Sequence, residues 1–105
     1  ISAGKWGERW SELCKTFQAN LVELKTDYGK VVSPAEVEAA LKKHPKTVAV
    51  YSQLSETSTG VAHDIAAIGE VVKKTPALLA VDGISGVGAM ECRTDDWGVD
   101  LLACG

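Results

Sequence analysis

An open α/β fold, with a mostly parallel sheet flanked by helices, is the class that this 105-residue sequence predicts. Three observations point to it. Apolar residues recur at helical spacing in three stretches, β-rich apolar runs alternate with them, and one central run, "ALLAVD" at 77–82, stops on a lone aspartate before a turn of small residues. Strands separated by helices pair in parallel through crossover connections, which set helices on the faces of the sheet.

Each element follows from its own pattern. Trp6, Trp10, Leu13, Cys14 and Phe17 fall on one apolar helical stripe, and "LVELK" at 21–25 then reads as a strand. "SPAE" at 33–36 is a capping box: the Ser33 hydroxyl can accept an amide, Pro34 suits the first helical position and Glu36 reaches back. Val37, Ala40 and Leu41 supply the buried face of that second helix. "TVAVYS" at 47–52 is a strand, "SETSTG" at 55–60 a loop, and Ile65, Ile68 and Val72 mark a third helix beginning near Asp64. "ALLAVD" and "DLLACG" at 100–105 complete the strands. No repeat, linker or low-complexity segment interrupts this order.

Composition narrows the function. With 46% hydrophobic and 24% charged residues the chain can bury one modest core, so it is a single domain or a piece of one. The net charge is −3, and Lys42, Lys43, Lys46, Lys73 and Lys74 sit at element ends rather than in one stripe, which argues against nucleic acid and membrane surfaces as partners. No apolar stretch approaches the roughly 20 residues needed to span a bilayer, and no export pattern opens the chain, so a cytoplasmic setting is the default expectation. Cys14, Cys92 and Cys104 are odd in number and lack metal-type spacing. They read as buried free thiols, and no metal site is expected.

Ligands of open α/β sheets bind beyond the carboxyl ends of the strands, and Asp82 stands at such an end. The residues alone leave two roles open for it: a cap on an Asp-Gly turn, or a carboxylate facing a cationic ligand atom. "SETSTG" and "GISGVG" leave the same edge of the sheet, and both carry the hydroxyls and glycines that allow close approach. Three familiar motifs do not fit. The glycines of "GISGVG" miss the dinucleotide spacing, no Gly-Lys-Ser/Thr loop is present, and Ser85 lacks the flanking glycine of a nucleophile elbow.

The run "SETSTGVAHDIAAIGEVVKKTPALLAVDGISGVGAMECRTDDWGVDLLACG", with "GKWGERW" at 4–10 upstream, resembles the large domain of class V aminotransferases. These are fold type I pyridoxal-phosphate enzymes that include serine-pyruvate and alanine-glyoxylate aminotransferases. The resemblance implies pyridoxal 5'-phosphate as cofactor and Asp82 as the catalytic carboxylate that keeps its pyridine nitrogen protonated. Ile84 would lie against one face of the ring and Trp6 would stack on the other, while Thr57 would hydrogen-bond the phenolic oxygen. Read without the family, Trp6 is a core residue of its helix and Thr57 an ordinary loop hydroxyl. Glu56, Ser58 and Gly60 shape the loop.

The implied reaction moves an amino group from a small amino acid, alanine or serine, to a 2-oxo acid such as glyoxylate or pyruvate, within a homodimer. Residues 1–105 would then be part of the cofactor-binding large domain, and the chain reads as an excised piece of a larger enzyme. The Schiff-base lysine of the family's Ser-Gln-Lys would follow Gly105, and the phosphate-binding segment and small domain would lie outside. The piece alone is expected to be inactive, and neither Lys5 nor Lys25 takes the place of that lysine. Another pyridoxal-phosphate activity of the same class, a desulfurase or lyase, is the nearest alternative. "LLAVDG" also resembles the phosphoacceptor strand of receiver-type signalling domains, although the upstream acidic pair and the lysine on the last strand are not found. A noncatalytic interaction domain that kept the fold is the third reading.

Overall fold

A computed structural model describes residues 1–105. Its elements are α1 (Lys5–Thr16), α2 (Pro34–Lys43), β1 (Ala49–Gln53), β2 (Ser55–Glu56), β3 (Val61–Ala62), α3 (Ile65–Val72), β4 (Leu78–Asp82), α4 (Thr94–Trp97) and β5 (Leu101–Ala103). The main sheet has the order β1-β4-β5 and is parallel throughout. β4 is therefore its central strand. A central parallel strand is covered on both faces, which explains why Leu79, Ala80 and Val81 run apolar without alternation and are all buried.

The two middle helices begin where their caps dictate. Ser33 Oγ accepts from Glu36 N–H at 3.3 Å, and Glu36 Oε2 accepts from Ser33 N–H at 2.8 Å, so the capping box of α2 is complete. Asp64 Oδ1 accepts from Ala67 N–H at 2.9 Å and starts α3. Val37 and Leu41 of α2, Ile65, Ile68 and Val72 of α3, and Leu79 and Val81 of β4 then form one apolar core. Burying each such side chain is worth about 1.5–3 kcal/mol, so this face carries most of the stability. Gly69 closes it from outside: a Cβ there would stand 1.8 Å from the Trp97 carbonyl oxygen, and only glycine lets α3 meet the end of α4.

Four expectations need correction. Residues 21–25 are extended but do not form a strand, because only Ser2 reaches them: Ser2 N–H bonds to Leu24 O at 2.8 Å and Thr26 N–H to Ser2 O at 3.0 Å, a single bridge without a ladder. The apolar stripe of α1 is only partly its buried face: Trp10, Leu13 and Cys14 are half-buried. Gly7 and Ser11 are buried, whereas Trp6 is 49% and Phe17 79% exposed, because this helix docks through its small residues. The 55–60 loop begins and closes as a two-stranded antiparallel ribbon, β2 with β3. None of the three cysteines is fully buried, and Cys104 is exposed. α4 was not anticipated, since a four-residue helix has no periodicity to read. No helix is long and apolar enough to cross a membrane.

Candidate active site at the carboxyl ends of the strands

Asp82 closes β4, and its register partner across the parallel ladder is Gln53, the last residue of β1. Side chains alternate along a strand, and Leu79 and Val81 point into the apolar core. Asp82 and Gln53 therefore share the opposite face of the sheet. That face belongs to α1 and the residues that lead into it: Gln53 Nε2 donates to Ile1 O at 3.3 Å, and Tyr51, two residues before Gln53, packs on Trp10 of α1 with ring centroids 4.8 Å apart. Asp82 is half-buried. One of its carboxylate oxygens, Oδ1, accepts from Ile84 N–H at 3.0 Å, so it does cap the turn, and this is the single hydrogen bond of its side chain to the protein. The second oxygen is left to accept from something else.

The turn after Asp82 then folds back on the sheet. Gly86 N–H and Val87 N–H both bond to Gly83 O, at 3.0 and 2.9 Å, and a Cβ on Gly86 would meet the Leu54 side chain at 2.7 Å. This tight packing brings Ser85 to Thr57, where the two hydroxyls meet. Ile84, beside them, is 58% exposed. In the other loop, Thr59 N–H and Gly60 N–H bond to Glu56 O, and Gly60 takes a left-handed φ of 74° that closes the turn at no steric cost.

Glu56 joins this loop to α1. Its side chain is 0% exposed, and its oxygens accept from Trp6 N–H at 3.3 Å, Gly7 N–H at 2.9 Å, Ser58 N–H at 3.2 Å and Ser58 Oγ at 2.7 Å. Burial alone would push this carboxyl up, but the hydrogen bonds from Ser58, Gly7 and Trp6 together outweigh it and hold Glu56 below the usual carboxylate range. Behind it lies His63, also buried. Its Nδ1–H donates to Gln53 O at 3.0 Å, its Nε2 has no partner, and burial keeps its pKa below the ordinary imidazole value.

The result is an unbroken path from Trp6 through Glu56 to Thr57, across to Ser85, and through Ile84 to Asp82. All four residues singled out from the sequence thus stand on one edge of the sheet. Glu56 and Ser58 do shape the loop. The sequence reading missed that Glu56 reaches α1, that Ser85 meets Thr57, and that His63 braces the end of β1. A signal for the first was present in "GKWG": a Cβ on Gly4 would meet Glu56 Cγ at 2.5 Å, and one on Gly7 would meet Ser2 Cα at 2.7 Å. A hollow of about 620 Å³ lies elsewhere, between α1, α2 and the outer edge of β1, and none of Trp6, Thr57, Asp82 and Ile84 lines it.

A parallel sheet with polar, glycine-rich loops gathered at its carboxyl edge is the arrangement in which open α/β proteins bind small ligands. The sequence places it further: the class V aminotransferase model matches residues 2–105, and the chain belongs to that family. Members of the family use pyridoxal phosphate. The chain is 35% identical to the small subunit of soluble hydrogenase of Synechococcus, across 97% of this chain and 27% of that protein. It is 39% identical to the L-aspartate–glyoxylate aminotransferase of Paracoccus denitrificans, again across 97% of this chain and 27% of the relative. Among solved structures, ureidoglycine-glyoxylate aminotransferase of Bacillus subtilis superposes with a TM-score of 0.92 at 31% identity, over 98% of this chain and 26% of its own. The fold is that of the fold type I aminotransferases. The chain spans about a quarter of the length of these relatives.

Proposed function

We propose that residues 1–105 form one wall of the cofactor site of a pyridoxal-phosphate aminotransferase that passes an amino group from a small amino acid to a 2-oxo acid. Asp82 carries the reading: a half-buried carboxylate at the end of the central strand, on the same face as α1, with one oxygen spent on the turn and one unspent. The donor set suits the group. A carboxylate matches a protonated pyridine nitrogen, an exposed indole and an exposed isoleucine match the two faces of a flat ring, and a hydroxyl matches a phenolic oxygen.

When bound, pyridoxal phosphate supplies an electron sink for the carbon that bears the amino group. Asp82 holds a proton on the ring nitrogen by direct charge pairing, which raises the pKa of that nitrogen. Trp6 and Ile84 fix the plane of the ring and keep water from its faces. Thr57, steadied by Ser85, offers its hydroxyl to the ring oxygen. The phosphate-binding segment and the lysine that anchors the cofactor belong, in this reading, to polypeptide outside residues 1–105, and the 105-residue chain alone has no aminotransferase activity.

Glyoxylate is the proposed acceptor, because the Paracoccus and Bacillus relatives are both named for it. The donor is a small amino acid, alanine or serine. A cytoplasmic homodimer completes the proposal; Val48, Leu78 and Leu101 are large apolar side chains exposed on this chain and available for burial in a larger assembly. Asp82→Ala in the complete protein tests the core of it. Transamination should fall by orders of magnitude while the circular dichroism spectrum is kept, and unchanged turnover would remove the proposal.

A further inference from the structure

We infer that Glu56 is a positioning residue that ties the Trp6 wall of the site to the Thr57 wall. The inference rests on the site reading above and extends it to a side chain that has no contact with the ring. Helix α1 begins without a side-chain cap of its own, since its N-cap is Gly4. Its first N–H groups go instead to residues about fifty positions later: Lys5 N–H to Ser58 Oγ at 3.0 Å, and Trp6 and Gly7 N–H to the two oxygens of Glu56. A carboxylate at a helix N-terminus also meets the positive end of the helix dipole.

Three features make this a clamp rather than a passing contact. Glu56 is fully buried, and both of its oxygens are engaged. Gly4 leaves the room it needs, for a Cβ there would stand 2.5 Å from Glu56 Cγ and 2.6 Å from Cδ. The carboxylate grips the backbone of Trp6 itself and is followed directly by Thr57, so one side chain sets the spacing between the stacking surface and the ring-oxygen donor. The Trp6 side chain, 49% exposed, has little packing of its own to hold that position.

Two variants test this in the complete protein. Glu56→Gln keeps the shape but sets an amide N–H₂ against backbone donors, and Gly4→Ala keeps the carboxylate while pushing it away. In the cofactor-free state, hydrogen exchange at the Trp6 and Gly7 amides should speed by about tenfold or more in both variants, while Ala80 and Val81 of β4 exchange as in the parent. Dissociation constants for pyridoxal phosphate should weaken as much as in Trp6→Ala, and Glu56→Gln combined with Trp6→Ala should add little to either alone.

Unchanged exchange at Trp6 and Gly7 would overturn the clamp. Faster exchange with parent-like cofactor affinity, while Trp6→Ala does weaken binding, would make Glu56 a stabilising residue only and overturn the inference while sparing the site. If Trp6→Ala leaves affinity unchanged, the site reading at Trp6 fails and the inference falls with it, whatever the exchange data show.

Discussion

The two faces of the parallel sheet are held by different forces. On one, α2 and α3 press Val37, Ile65, Ile68 and Val72 against Leu79 and Val81, and the contact is apolar. On the other, α1 docks through Gly7 and Ser11, through the Glu56 carboxylate and through Tyr51 of β1, and Gln53 holds Ile1 just ahead of it. Apolar burial is strong and indifferent to direction, whereas hydrogen bonds are modest in net energy and strict in geometry. The first face keeps the chain folded; the second decides where Trp6, Thr57 and Asp82 stand.

Variants on the two faces should therefore fail differently. Ile68→Ala opens a cavity in the apolar face and should cost about 2–5 kcal/mol in denaturant titrations, with cofactor affinity per folded molecule unchanged. Gly7→Ala strikes the other face, where the new methyl meets the Ser2 backbone; about 1–3 kcal/mol of stability should go, and cofactor affinity should fall with it. Trp6→Ala should be milder for the fold, about 1 kcal/mol, since half of the ring is already in water. Its cofactor affinity should drop by about 1 kcal/mol, roughly fivefold, measured by equilibrium dialysis. Equal losses of affinity from Ile68→Ala and Gly7→Ala would erase the distinction between the faces.

The smallest effect is the pH dependence contributed by two buried groups of the polar face. His63 is held below its ordinary pKa by burial, so protons bind the unfolded chain more readily, and its contribution to stability is complete above about pH 6.5 and declines as the pH falls through the folded value. Glu56, also held low, contributes fully above about pH 4.3 and loses its contribution on further acidification. Unfolding free energies measured in pH steps should decline in these two windows. His63→Gln should flatten the upper one and Glu56→Gln should make the lower one shallower, the rest of it belonging to Glu8, Glu36 and Glu38, which their own hydrogen bonds also hold low; a curve unchanged by either variant would remove both assignments.

The same contrast explains how much the sequence disclosed. Apolar periodicity and local caps are written in consecutive residues, so α2, α3, β1 and β4 were legible within a residue or two, and the strand-end position of Asp82 with them. The polar face was harder, because its partners are far apart in the chain: the glycines of "GKWG" signal that something approaches closely, but nothing near them says that it is Glu56 or the Ser2 backbone. Residues 21–25 carried a strand's composition, but a strand also needs a neighbour along its length, and only Ser2 provides one. The apolar stripe on α1 misled for a related reason. Trp6 and Phe17 match a buried face by spacing, yet the helix buries Gly7 and Ser11 most deeply and leaves about half of Trp6 and most of Phe17 in water.

A crystal structure of the complete protein with pyridoxal phosphate bound tests the central claim most directly. A carboxylate oxygen of Asp82 should lie within about 3 Å of the pyridine nitrogen, at hydrogen-bond distance, with the Trp6 indole on one face of the ring and Ile84 on the other. A ring whose nitrogen faces any other group, or a cofactor seated away from the carboxyl ends of β1 and β4, would contradict the account.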